Sequence, residues 1–210
     1  MNEQATCEIG TNSNESISTE EIADSYHENG NINEFTILQN GEVVGFGHCS
    51  LSGKKEYDLN WGGKNGVAIH RYFNDDGCLT MREEIDFLQN DDFKETRTHY
   101  FTNGNPYIEV DFLNDIENGF EKCWYQSGRL KFISSWSNGK RNGSYDEWNE
   151  KGQKTIQGVW KNNKETDTWT FLDEQNNEYG QEVYRCGSVI SSGQHVNKYM
   201  QNQHKKEVFA

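Results

Sequence analysis

The chain has 210 residues, of which only 32% are apolar, and its 34 Asp and Glu outnumber 20 Lys and Arg for a formal net charge of −14. That balance is poor for a thick core and argues against nucleic acid as a partner, since phosphate binding calls for clustered Lys and Arg. Yet the chain holds 6 Trp, 10 Tyr and 11 Phe, residues that disordered chains lack, so short units that each set one aromatic against the next fit best.

Residues 1–22 are expected to form a flexible acidic lead. Met1 to Glu21 offers neither a basic nor an apolar stretch of the kind a secretory signal needs. No run of 18 apolar residues reads as a membrane span. The five Cys at 7, 49, 78, 123 and 186 fit neither a disulfide scaffold nor a CxxC metal knuckle. A reducing, cytoplasmic setting is the expected location.

From residue 23 onward an aromatic recurs shortly before a turn residue. The series runs Tyr26/Gly30, Cys49/Gly53, Tyr72/Gly77, Tyr100/Gly104, Trp124/Gly128, Trp148/Gly152 and Leu172/Asn176. Successive turns are 23, 24, 27, 24, 24 and 24 residues apart. Between them lie second landmarks: Leu38 before Gly41, Trp61 before Gly66, Phe112 before Gly119, Trp136 before Gly139 and Trp160 before Lys164. Short runs of aromatic and β-branched residues separated by Asn-Gly or Asp-Gly read as hairpins.

Phe132, Ser134 and Trp136 should share one face with Ile156, Gly158 and Trp160, leaving Ile133, Ser135, Gln157 and Val159 on the other. Trp61, Phe112, Trp124, Trp136, Trp148 and Trp160 are expected to glue successive hairpins into a twisted antiparallel meander. The Gly77-to-Gly104 unit is three residues longer than its neighbours, and a longer or bulged loop near Asp91 and Asp92 accounts for it. Residues 177–192 should add one closing strand, Gln181 to Cys186. Residues 193–210 form a separate tail or cap, short and helical or irregular.

The unit aromatic-x-x-x-Gly followed by Trp-x-Asn-Gly-Lys-x-x-Gly resembles the membrane occupation and recognition nexus (MORN) repeat in its bacterial variant form. Trp124 to Gly143 and Trp148 to Asp167 are the clearest copies, with Tyr100 to Gly119 behind them, and the resemblance covers roughly residues 23–176. Asn163 and Asp167 depart from the pattern where the preceding unit has Gly139 and Gly143, as do Cys49 and Leu172 at the aromatic anchor. The resemblance implies an all-β, elongated single-layer array of hairpins over residues 23–192. It also implies an antitoxin, or an immunity partner of a secreted toxin.

No catalytic motif is present: there is no GxSxG elbow, no HExxH and no phosphate loop, and Gly62 to Gly66 falls where the repeat already requires a turn. No cofactor or metal is expected. His48 and His99 immediately precede the anchor position and would line one side of the array. The reading is therefore a non-enzymatic protein-binding module that occludes a basic toxin. Asp86, Asp91, Asp92, Glu109, Asp111 and Glu121 would supply the acidic rim, and Tyr125, Phe132, Tyr145 and Trp169 the aromatic anchors. The alternative is a structural scaffold or membrane-apposed module using Lys131, Lys140, Arg141, Lys151, Lys154, Lys161 and Lys164. A net charge of −14 opposes that use on anionic lipid.

Overall fold

The structure, a computed structural model, describes residues 19–61 and 67–193. Its strands are β1 (Thr19–Tyr26), β2 (Ile32–Gln39), β3 (Glu42–Cys49), β4 (Lys55–Asn60), β5 (Val67–Phe73), β6 (Leu79–Phe87), β7 (Phe93–Tyr100) and β8 (Pro106–Leu113). There follow β9 (Ile116–Trp124), β10 (Leu130–Ser137), β11 (Lys140–Trp148), β12 (Lys154–Lys161), β13 (Lys164–Leu172), β14 (Glu178–Arg185) and β15 (Ser188–Ser192). All fifteen lie in one sheet in sequence order, each antiparallel to the next. A 3-10 turn at Gln89–Asp91 accommodates the long unit.

Two kinds of turn alternate, and the sequence dictates both. Asn40-Gly41, Asn114-Asp115, Asn138-Gly139, Asn162-Asn163 and Cys186-Gly187 all have positive φ at both residues. That is the backbone a two-residue hairpin needs to match strand twist. The five-residue turns each place one left-handed residue at 30, 53, 77, 104, 128, 152 or 176; six are Gly and the last, Asn176, has φ 65°. An Asn carboxamide tolerates that region better than other side chains.

Neighbouring five-residue turns are stitched together along one long edge. Asn31 Nδ2 donates to the Leu51 carbonyl at 2.9 Å, Asn105 Nδ2 to that of Gln126 at 2.9 Å, and Arg129 Nη1 to that of Glu150 at 2.7 Å. Gln153 Nε2 donates likewise to Glu174. Just inside this edge every second strand carries one extra residue: Asn33, Glu56, Thr80, Tyr107, Lys131, Thr155 or Tyr179. A bulge repeated at the same place in each hairpin adds right-handed twist at regular steps.

Cross-strand partners share a face, so the register defines continuous rows across the sheet. One row on the front face runs Ile22, Thr36, Phe46, Leu59, His70, Glu83, Arg97, Val110, Glu121, Ser134, Tyr145 and Gly158. It ends on Trp169, whose ring lies over Gly158, and then Glu182. On the back face, the adjacent row begins Ala23, Phe35, Gly47, Asp58, Arg71, Arg82, Thr98, Glu109 and Lys122.

The two rows reveal that the buried side of the sheet changes. In β2 and β3 the buried apolar side chains face the back: Phe35 is 3% and Ile37 2% exposed, clustered with Val44 and Cys49. In β11 to β14 they face the front, where Trp169 (6%) and Phe171 (2%) pack with Tyr145, Ile156, Trp160, Tyr179 and Tyr184. Between them both faces are charged. On the back, Arg71 Nε donates to buried Asp58 at 2.7 Å and Arg82 pairs with Glu84. On the front, Arg97 pairs with both Glu83 and Glu95, and His70 Nδ1 lies 3.2 Å from Glu83.

Strand β1 begins at Thr19, inside the segment expected to be flexible, because β2 offers it an edge to pair with. The closing region supplies two strands, β14 and β15, because Cys186-Gly187 forms another two-residue turn. The expected tail beyond Gly193, the lead up to residue 18 and the turn at 62–66 lie outside the described residues.

Candidate protein-binding surface

The central front row is a set of acids held among large side chains. Glu121, 9% exposed, accepts from Trp136 Nε1 at 2.8 Å and from Arg141 Nη2 at 3.3 Å. The Arg141 guanidinium lies 5.5 Å from the ring centroids of both Trp136 and Trp160, a cation–π arrangement. Two strands away, Glu95 is 4% exposed and accepts two hydrogen bonds from Arg97, at 2.5 and 2.8 Å. That hydrogen bonding raises the Arg97 pKa above its ordinary value. Arg97 also stacks 4.5 Å from the Phe112 ring centroid. These carboxylates are structural: a buried charge is tolerated only when paired.

Aromatic packing continues the row. Phe132 stacks on Tyr145 at 5.9 Å, Tyr145 on Trp169 at 5.4 Å, and Trp160 meets Trp169 edge-on at 5.1 Å. Burial pushes the Tyr145 hydroxyl far above its ordinary pKa, and Glu147, which accepts from it at 2.8 Å, adds to the shift. Tyr184 repeats the arrangement on Glu182, again with burial as the first cause.

The residues expected to bind a partner do not form one surface. Asp86, Glu109 and Asp111 face the back, and the last two are engaged with Lys122 and Thr96. Asp111 also accepts from the Phe120 amide, under Gly119. Asp91 and Asp92 sit exposed in the loop between β6 and β7. Glu121, Phe132, Tyr145 and Trp169 face the front, with Trp169 too enclosed to meet a partner. Tyr125 donates its hydroxyl to the Trp148 carbonyl at 2.8 Å, and burial raises its pKa.

Near Tyr125 and Phe132 lies an open hollow of about 430 Å³, also lined by Phe101, Tyr107, Cys123 and Lys131. Burial raises the Cys123 thiol pKa, the wrong direction for a nucleophile. His48 and His99 do share the front face, but four strand spacings, roughly 19 Å, separate them. Among the described residues no group of three His, Cys, Asp or Glu could hold a metal ion.

The basic side chains fall at opposite long edges. Lys140, Lys161 and Lys164 flank two-residue turns, whereas Lys131 and Lys154 lie beside, and Lys151 within, five-residue turns, a strand length of about 25 Å away. Lys151 and Lys154 are further occupied by Glu174 and Asp146.

Sequence reasoning overlooked the front of β1–β4. There Phe46 is 44%, Tyr57 39%, Trp61 43% and Ile22 44% exposed. The available signal was parity: Phe35 and Phe46 point to opposite faces, and Gly47, beside Phe46, leaves its back-face position bare for the Phe35 ring. No protein-family model matches the chain, and a search of the curated proteins also finds no match.

Proposed function

We propose that this chain is a non-enzymatic protein-binding module of the antitoxin or immunity type, which neutralises a basic toxin by covering its working surface. The observation that carries the reading is a one-layer sheet, with no second layer packed on it among the described residues, that presents large exposed aromatics on a chain of net charge −14. Exposed aromatic surface marks interaction sites, and carboxylates around it speed capture of a cationic partner. The MORN-like repeat supports the same reading. Its four described thiols are free, as a reducing cytoplasm keeps them. Among the described residues no helix is long and apolar enough to cross a membrane.

The test is affinity capture of the tagged full chain from its native cell, with bound proteins identified by mass spectrometry and the complex sized by light scattering. One stoichiometric basic partner, toxic when expressed alone and harmless with this chain, is the expected result. Recovery of lipid alone, or of many substoichiometric proteins, contradicts the reading and favours a scaffold.

A further inference from the structure

The front face of β1–β4 breaks a pattern kept by the far end of the sheet. Phe46 and Trp169 occupy the same repeat position, seven residues before the left-handed turn residues Gly53 and Asn176. Trp169 is 6% exposed and Phe46 44%. The difference follows from the change of buried side: near the amino end the apolar core uses the back face, so the front aromatics there have nothing over them among the described residues. Phe46 meets Trp61 edge-on at 5.8 Å, and His48 stacks on Tyr57 at 5.7 Å. The rings are thus held in place before any partner arrives, which lowers the ordering cost of binding.

The rim of this patch is acidic and fixed. Asp24 accepts from Thr36 Oγ1 at 2.7 Å, Glu34 from Ser25 Oγ at 3.2 Å, and Glu56 lies 3.0 Å from His48 Nδ1. Glu20 extends the rim along β1, pairing across to Leu38. Strands β1–β4 contain one Lys or Arg, Lys55, and it sits on the back, 4.9 Å from the Phe35 ring centroid. Like-charge rims would face each other in a pair of copies docked by this face, and anionic lipid or nucleic acid would be repelled as well.

We infer that the front of β1–β4 is the docking surface, and that its occupant is a polypeptide surface with an apolar centre ringed by Lys or Arg. The inference rests on the protein-binding reading and adds its location and chemistry. Phe46, Tyr57, Trp61 and Ile22 take the apolar centre, while Glu20, Asp24, Glu34 and Glu56 meet the cations.

The test uses the full chain and a 16-residue synthetic peptide of alternating Lys and Leu, titrated by calorimetry at physiological salt. A Glu–Leu peptide and a Lys–Ser peptide serve as controls, and hydrogen exchange maps the footprint. The Lys–Leu peptide is expected to bind and to protect β1–β4. Phe46→Ser with Trp61→Ser should weaken it at least about tenfold, as loss of central aromatic anchors does. The back-face pair Phe120→Ser with Val159→Ser should change it less than about twofold, as exposed residues outside a contact do. Both pairs replace exposed side chains, and circular dichroism checks that each remains folded.

Loss of binding in the back-face pair but not the front pair overturns this inference while leaving a binding function elsewhere on the sheet. Equal binding of the Lys–Ser peptide removes the apolar centre from the account, and equal binding of the Glu–Leu peptide removes its charge. Dimerisation of the chain relieved by Phe46→Ser assigns the face to a second copy instead. No binding by the Lys–Leu peptide also overturns the inference; the native-cell capture judges the broader reading separately.

Discussion

Glycine in the middle of a strand earns its place here by what lies over it. A Cβ at Gly158 would stand 2.3 Å from the Trp169 indole, and one at Gly47 2.2 Å from the Phe35 ring. Each large ring therefore rests on a bare stretch of neighbouring backbone, at opposite ends of the sheet and on opposite faces. Gly158→Ala should cost about 1–3 kcal/mol through overpacking, seen as a lower urea midpoint; an unchanged midpoint would mean the ring is not seated there. Tyr145 gives a pH-dependent check. Its folded pKa lies above the unfolded value near 10.0, so its stabilising contribution is complete below about pH 10 and is lost as pH rises beyond it. Melting temperature should fall above pH 10, and less steeply in Tyr145→Phe. Ionisation of Tyr145 in the folded protein at its ordinary pKa would contradict this.

Turns and hairpins were the most legible elements because their chemistry is local. Asn138-Gly139 and the seven left-handed positions spaced near 24 residues can be found without knowing any distant contact, since positive φ selects Gly and Asn. The alternation from Phe132 to Trp136 was equally readable. The extra closing strand was not, because Cys186 adopts φ 52° without belonging to the residue types that announce such a turn. Asn176 makes the local rule testable. Asn176→Gly removes a left-handed Cβ and should stabilise the last five-residue turn by up to about 1 kcal/mol. A loss of stability in thermal unfolding would show instead that the Asn side chain holds the turn.

At the scale of the whole molecule, every strand pairs with its neighbours in sequence, so stability divides into intrinsic repeat terms and nearest-neighbour terms. The two apolar clusters, around Phe35 and around Trp169, share no residue and are separated by the charged middle strands. That division was hidden from the sequence for a physical reason. A strand reads as apolar on alternate residues whichever face is buried, and only the register accumulated over many strands shows that the face has changed. The same reason scattered the expected binding residues: Glu109 and Asp111 alternate with Val110, so they could not share a face with Glu121, its partner across the sheet. Tyr145 and Trp169 were expected as partner anchors, whereas they pack as core.

The change of buried side is therefore the claim on which the docking surface and the division of stability depend. Thermal unfolding of four single variants at two pairs of equivalent repeat positions tests it: Phe46→Ser against Trp169→Ser on the front, and Phe35→Ser against Ile133→Ser on the back. Trp169→Ser and Phe35→Ser should each lose about 3–5 kcal/mol, as deletion of a buried aromatic does. Phe46→Ser and Ile133→Ser should each lose about 1 kcal/mol or less, near the centre of the range for point substitutions. Equal losses at Phe46 and Trp169, or a larger loss at Ile133 than at Phe35, would show that one face is buried throughout and contradict the account.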